Sequence, residues 1–166
     1  MIVLNINGPI NAGKSTCAKI LNSRINNSLF IEGDDLLSDE ERERLNLDFS
    51  GRTHLRLERL DKVLNEMISK QNHDVIIFTF PISEGNHKRW LNIVNGRAKL
   101  KVITLAPKLD HCLTNRGARE LAEWELNRIK EMYSEGYHNP PEADFIIDNS
   151  RQTPEETVDK IISLIG

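Results

Sequence analysis

Residues 8–15 read Gly8-Pro9-Ile10-Asn11-Ala12-Gly13-Lys14-Ser15, with Thr16 next and the apolar run Ile2–Ile6 just before them. A G-x-x-x-x-G-K-S pattern between a short apolar strand and an opening helix constrains the fold more than anything else in the chain. The glycines permit a tight loop whose amide hydrogens converge inward. The helix behind it adds the positive end of its dipole. Such a concavity suits phosphate oxygens. Lys14 is then within reach of β- and γ-phosphates, and the Ser15 hydroxyl is a ligand for Mg²⁺. The expected ligand is ATP with Mg²⁺, held by Gly8, Asn11, Ala12, Gly13, Lys14, Ser15 and Thr16.

The rest of the chain alternates short apolar runs with amphipathic stretches. Strands are expected at Ile2–Ile6, Leu29–Glu32, Asp74–Phe80, Leu100–Leu105 and Ala143–Ile147, each followed closely by a turn former. Helical periods cover about Gly13–Ile25, Leu55–Ile68, the stretch around Trp90–Val94, Leu109–Asn115 and Arg119–Tyr133. Trp90 and Trp124 are expected to pack helices against the sheet. Thr153-Pro154-Glu155-Glu156 reads as the N-cap and first turn of a last helix, with Val158, Ile161, Ile162 and Ile165 as its buried face. Strands alternating with helices indicate a parallel sheet covered on both faces. With right-handed crossovers the economical architecture is a three-layer α/β sandwich. Ligands in such sheets bind beyond the carboxyl ends of the strands.

Two carboxylates, Asp34 and Asp35, follow the second strand at that edge, behind Gly33, which is expected to let the backbone turn sharply. A carboxylate there can orient an attacking hydroxyl and accept its proton. Adjacent side chains diverge, so only one can serve; Asp34 is the first candidate and Asp35 the second. A solvated turn is the plain alternative for both, and Asp39-Glu40-Glu41 reads as a solvated helix face. The third strand ends in Thr79-Phe80-Pro81 without an acidic residue, which speaks against a motor or switch ATPase. Arg116 and Arg119 flank Gly117, an arrangement suited to a hinged lid near residues 115–140 that closes guanidinium groups over a triphosphate. Arg52, Arg56 and Arg59 stand at helical spacing and read as a solvated face, or as a hold for an anionic acceptor. Asp148-Asn149-Ser150 follows the last strand where a nucleotide base would lie, although turn formation alone accounts for those residue types.

Length and charge narrow the partners. The chain has 166 residues, which suits one domain spanning 1–166, and its net charge of −3 offers no general attraction to nucleic acid or membrane. Two cysteines, Cys17 and Cys112, form no metal-binding spacing. No apolar stretch approaches the roughly 20 residues needed to span a bilayer, and no basic leader precedes Ile2, so a cytoplasmic location is expected.

The phosphate loop, the Asp after strand two, the Arg116-Gly117-Ala118-Arg119 segment and the terminal strand and helix together resemble the small-molecule kinases of the P-loop superfamily. The Arg-Gly-Ala-Arg segment, with Ile147-Asp148-Asn149-Ser150 close to Thr153-Pro154-Glu155-Glu156, is similar to the chloramphenicol phosphotransferase-like group. Glu32-Gly33-Asp34 followed by Asp48-Phe49-Ser50 is similar to adenylylsulfate kinases, and Glu32-Gly33-Asp34 also to gluconate kinases. The phosphate loop resembles that of shikimate kinases, but no glycine-rich pair follows strand three. The Asp34-Asp35 pair resembles polynucleotide 5′-kinases, yet Leu37 stands where that family has an arginine. The resemblance implies a P-loop fold with a five-stranded parallel sheet of order 2-3-1-4-5, ATP and Mg²⁺, and a mobile arginine-bearing lid. It assigns the contacts with the reacting groups to Lys14, Ser15, Asp34 and Arg116 or Arg119. The activity so implied is transfer of the γ-phosphoryl group to a hydroxyl of a small acceptor. The alternatives are a polynucleotide 5′-hydroxyl kinase, against which the acidic balance counts, and a nucleotide-binding regulator without chemistry.

Overall fold

The computed structural model describes residues 1–115 and 120–166. Its centre is a parallel sheet of β1 (Ile2–Asn7), β2 (Ser28–Glu32), β3 (Val75–Thr79), β4 (Lys99–Leu105) and β5 (Phe145–Ile147). The spatial order is β2-β3-β1-β4-β5, as expected, and every pairing is parallel. The helices are α1 (Lys14–Arg24), α2 (Asp39–Leu45), α3 (Phe49–Lys70), α4 (Glu84–Val94), α5 (Leu109–Cys112), α6 (Glu123–Ser134) and α7 (Pro154–Ile165).

Alternation along the strands separates two cores. Leu4, Ile6, Ile77, Ile103 and Ile147 meet Cys17, Ala18 and Leu21 of α1 and Val158 and Ile161 of α7. Val3, Ile76, Phe78 and Val102 meet Leu60, Leu64 and Ile68 of α3 and Trp90 and Val94 of α4 on the other face. Trp90 is fully buried, edge-on to Phe78 at 4.8 Å and to Phe80 at 6.2 Å between ring centroids. Trp124 departs from the expectation: it is 67% exposed and packs no helix on the sheet.

Caps explain where several helices begin. Thr153 accepts from the Glu156 amide while Glu156 reaches back to the Thr153 amide, and Pro154 opens α7. Asp48 accepts from the Gly51 amide at 2.7 Å, so α3 starts at Phe49, well before Leu55. Its first two turns lack a core-facing apolar period, which is why periodicity alone missed them. Ser83 likewise starts α4 at Glu84. The stretch Leu109–Asn115 is helical only to Cys112, and the next described helix opens at Glu123, where Glu125 accepts from the Ala122 amide at 3.1 Å. Among the described residues no helix is long and apolar enough to cross a membrane.

Candidate active site

One wide cleft, about 1850 Å³, runs along the carboxyl edge of the sheet. Gly8, Asn11, Gly13, Lys14, Ser15 and Thr16 line it on one side, and Glu32, Gly33, Asp34 and Thr79 at the ends of β2 and β3. Ala12, within the same loop, is fully buried and is not among the residues that line the cleft.

The loop is built by backbone chemistry. Gly8 has φ +141°, and a Cβ there would stand 2.3 Å from the Leu105 carbonyl oxygen, so only glycine fits between β1 and the end of β4. Asn11 adopts left-handed backbone, φ 65°, and its side-chain amide donates to the carbonyls of Cys112 and Thr114, each at 2.9 Å. Lys14 Nζ donates to the Pro9 carbonyl at 2.7 Å, folding the ammonium across the loop. Asn149 after β5 is buried, and its amide donates to the Ala12 carbonyl at 3.1 Å. The Asp148 carboxylate accepts from the Ser150 amide at 3.0 Å and from its hydroxyl at 2.5 Å. Those bonds hold its pKa below the usual carboxylate range. Thus Asp148-Asn149-Ser150 buttresses the loop and closes its own turn.

At the end of β2, Thr79 Oγ1 donates to the Glu32 carboxylate and accepts from the Gly33 amide at 3.2 Å. Glu32 is a cleft carboxylate that residue-by-residue reading passed over; its position as the last residue of β2 was the available signal. Gly33 is needed for a reason other than the one expected. Its φ is −61°, ordinary for any residue, but a Cβ would stand 2.1 Å from the Thr79 carbonyl oxygen. It serves close approach, not a special turn. Gly33→Ala is therefore expected to pry β2 from β3 and cost about 1–3 kcal/mol, to be read by denaturant unfolding.

Asp34 and Asp35 begin a short 3-10 turn, Asp34–Leu36. Both are exposed; Asp34 lines the cleft, whereas Asp35 is not among its lining residues. Asp34 Oδ1 pairs with Arg56 at 2.5 Å, where the guanidinium is only 18% exposed and the carboxylate 79%. The arginines at helical spacing are therefore not one solvated face. Arg52 and Arg56 line the cleft. Arg59 turns to the Leu36 carbonyl at 2.8 Å and to both oxygens of Glu41 at 2.9 and 2.8 Å. Glu41 also accepts from the Ser38 amide, capping α2, so it is a structural tie between α2 and α3, and no mere solvated residue. Arg59 draws the Glu41 carboxyl down to about 2. A lowered carboxyl pKa stabilises the fold above the ordinary carboxylate range, and that contribution is lost as pH falls through about 2. The stability gap between the parent and Glu41→Gln is expected to be full near neutrality and to close on acidification, followed by acid unfolding of both. Arg116 and Arg119 lie outside the described residues.

The residues present suit a triphosphate with a hard cation. The cradle at Gly8 admits no side chain, the amides of Gly13 and Lys14 open an 11-residue helix, and hydroxyl and carboxylate oxygens of Ser15 and Glu32 line the same cleft. Sheet order and loop together define a phosphate-loop α/β fold. No protein-family model matches the chain, and no curated protein matches it in sequence. Solved structures do resemble it. A shikimate kinase from Bacteroides thetaiotaomicron has 19% identity and TM-score 0.62, covering 99% of this chain and 98% of that one. A gluconokinase from Sinorhizobium meliloti 1021 has 15% identity and TM-score 0.70, covering 97% and 89%. An APS kinase from Mycobacterium tuberculosis, solved with AMPPNP and APS, has 15% identity and TM-score 0.63, covering 98% and 96%. The chain has the fold of the P-loop small-molecule kinases.

Proposed function

We propose that the chain is an ATP-dependent phosphotransferase that moves the γ-phosphoryl group to a hydroxyl of a small anionic acceptor. The observation that carries this reading is the sharing of one cleft by the phosphate loop and by Asp34 with its partner Arg56. ATP·Mg²⁺ supplies the electrophilic phosphorus and a leaving ADP oxygen. Loop amides and Lys14 bind the phosphates and offset charge gathering on the transferring group. Ser15 and Glu32 are assigned as the oxygen ligands that hold Mg²⁺, Glu32 being positioned by Thr79. Arg56 binds the acceptor's anionic group, drawing away from Asp34 as it does so. Asp34 then takes the proton of the acceptor hydroxyl while the new P–O bond forms and the bond to ADP breaks, its electron pair leaving with ADP. Kinases named for shikimate, gluconate and APS share the fold, which supports a small acceptor.

Transfer of labelled γ-phosphate to a panel of hydroxylated anions and 5′-hydroxyl oligonucleotides tests this. Mg²⁺-dependent labelling of a small anion is the expected result. Labelling of oligonucleotides alone, or tight ATP·Mg²⁺ binding with no transfer to any acceptor, would overturn it.

A further inference from the structure

Asn11 holds left-handed backbone, φ 65°, a conformation that glycine adopts at no steric cost. Asn tolerates it better than most residues, but its backbone gains nothing there over glycine. What Asn adds is a side chain. That side chain is engaged with α5, donating to the Cys112 and Thr114 carbonyls 101 and 103 residues away in sequence.

Those carbonyls stand at the end of a helix of four residues, of which Cys112 is the buried one. The last carbonyls of a helix lack partners within it. A turn so short, with so little in the core, takes its place from side-chain bonds. At its other end the Tyr133 hydroxyl of α6 donates to the Pro107 carbonyl. That leaves the Cys112 thiol to donate to the same hydroxyl oxygen, at 3.3 Å. The Tyr133 ring is itself stacked on His138, with 4.8 Å between centroids. The phosphate loop is thus bonded to α5 and α5 to α6, although Tyr133 is not among the residues that line the cleft.

We propose that Asn11 and Tyr133 are positioning residues for the triphosphate: they fix α5 between them, and α5 holds the phosphate loop with its amides converging before a ligand arrives. This rests on the phosphate site of the kinase reading and adds to it a residue outside the cleft. A loop that its ligand must order loses part of the binding free energy to that ordering, and a loop already ordered does not. Asn149 separately holds the loop at Ala12, so cutting the bonds to α5 should loosen the loop without unravelling it.

Calorimetry on the full chain, with AMPPNP·Mg²⁺ and with tripolyphosphate·Mg²⁺ as probes, tests the proposal. Asn11→Gly keeps the backbone conformation and removes the bonds; Tyr133→Phe keeps the ring on His138 and removes the hydroxyl. Each is expected to weaken both probes about three- to tenfold. The double variant should bind about as well as the weaker single one, because both changes cut the same chain of bonds. Arg97→Ala breaks bonds to Ser69 and Asn65, at 3.0 and 2.9 Å, that lie just before β4. It should bind both probes like the parent. Hydrogen exchange across residues 8–15 of the ligand-free protein should quicken in both single variants and not in Arg97→Ala. Should Asn11→Gly not fold, Tyr133→Phe decides alone. Parent-like affinity in Tyr133→Phe, losses that multiply in the double variant, weakening of AMPPNP without weakening of tripolyphosphate, or an equal loss in Arg97→Ala would overturn the relay. The kinase reading would stand through those results, since the parent still binds AMPPNP·Mg²⁺. If the parent binds neither probe, that reading falls and this proposal with it.

Discussion

Asp34→Asn is expected to lower phosphoryl transfer by roughly 10²–10⁴-fold, the usual worth of a positioned base, with ATP·Mg²⁺ affinity near that of the parent. Asn keeps the size and turn-forming ability of Asp, so the 3-10 turn Asp34–Leu36 should persist. The charge facing Arg56 would be gone, and with it the capacity to accept a proton. Asp35 is the internal comparison, being exposed and not among the residues that line the cleft. Asp35→Asn should transfer at close to the parent rate. Steady-state transfer with both substrates saturating, measured beside calorimetric ATP binding, separates the outcomes. A crippled Asp35→Asn with an active Asp34→Asn would exchange the roles, and parent-like rates in both would remove the base from this turn.

Lys14→Ala carries the second large effect. On the proposed function it removes a charge-assisted contact to the β/γ-phosphates, worth about 1.5–3 kcal/mol, or about tenfold to a hundredfold in ATP·Mg²⁺ binding. One native contact it sacrifices is the bond from Nζ to the Pro9 carbonyl at 2.7 Å. That bond joins residues on one loop, so thermal stability should change little. Calorimetry of ATP·Mg²⁺ binding checks the first statement and a melting curve the second. Parent-like affinity would remove the phosphate-loop reading.

What the sequence made legible was whatever depends on local chemistry or on one-sided burial. The phosphate loop is written in consecutive residues, and strands such as Val75–Thr79 are buried throughout, so both stood out. The strand order followed from the kinase resemblance. The α3 side of the cleft was less visible because its residues answer to the cleft and not to the core. Phe49, Arg52 and Arg56 break no apolar period, since they face no apolar layer, and α3 therefore looked shorter than it is. Gly33 looked like a turn residue, whereas the Thr79 carbonyl, distant in sequence, dictates it. Asn5 and Asn7 were hidden inside an apolar run. Buried in β1, Asn5 donates to the Phe80 carbonyl at 3.0 Å, and Asn7 accepts from the Ile82 amide at 3.2 Å. Partners so far apart in sequence leave no local trace.

The two cores have a further meaning for how such a chain can change. The phosphate loop leads into α1, which is braced by α7 on one face of the sheet, while the cleft residues Arg52 and Arg56 belong to α3, braced by α4 on the other. The two walls of the cleft are thus mounted on separate cores, one on each face of the same strands. Substitutions in α3 and α4 can reshape one wall of the cleft without disturbing the packing beneath the phosphate loop. A scaffold divided in this way can diversify one wall of its cleft while packing on the opposite side keeps the phosphate loop in place.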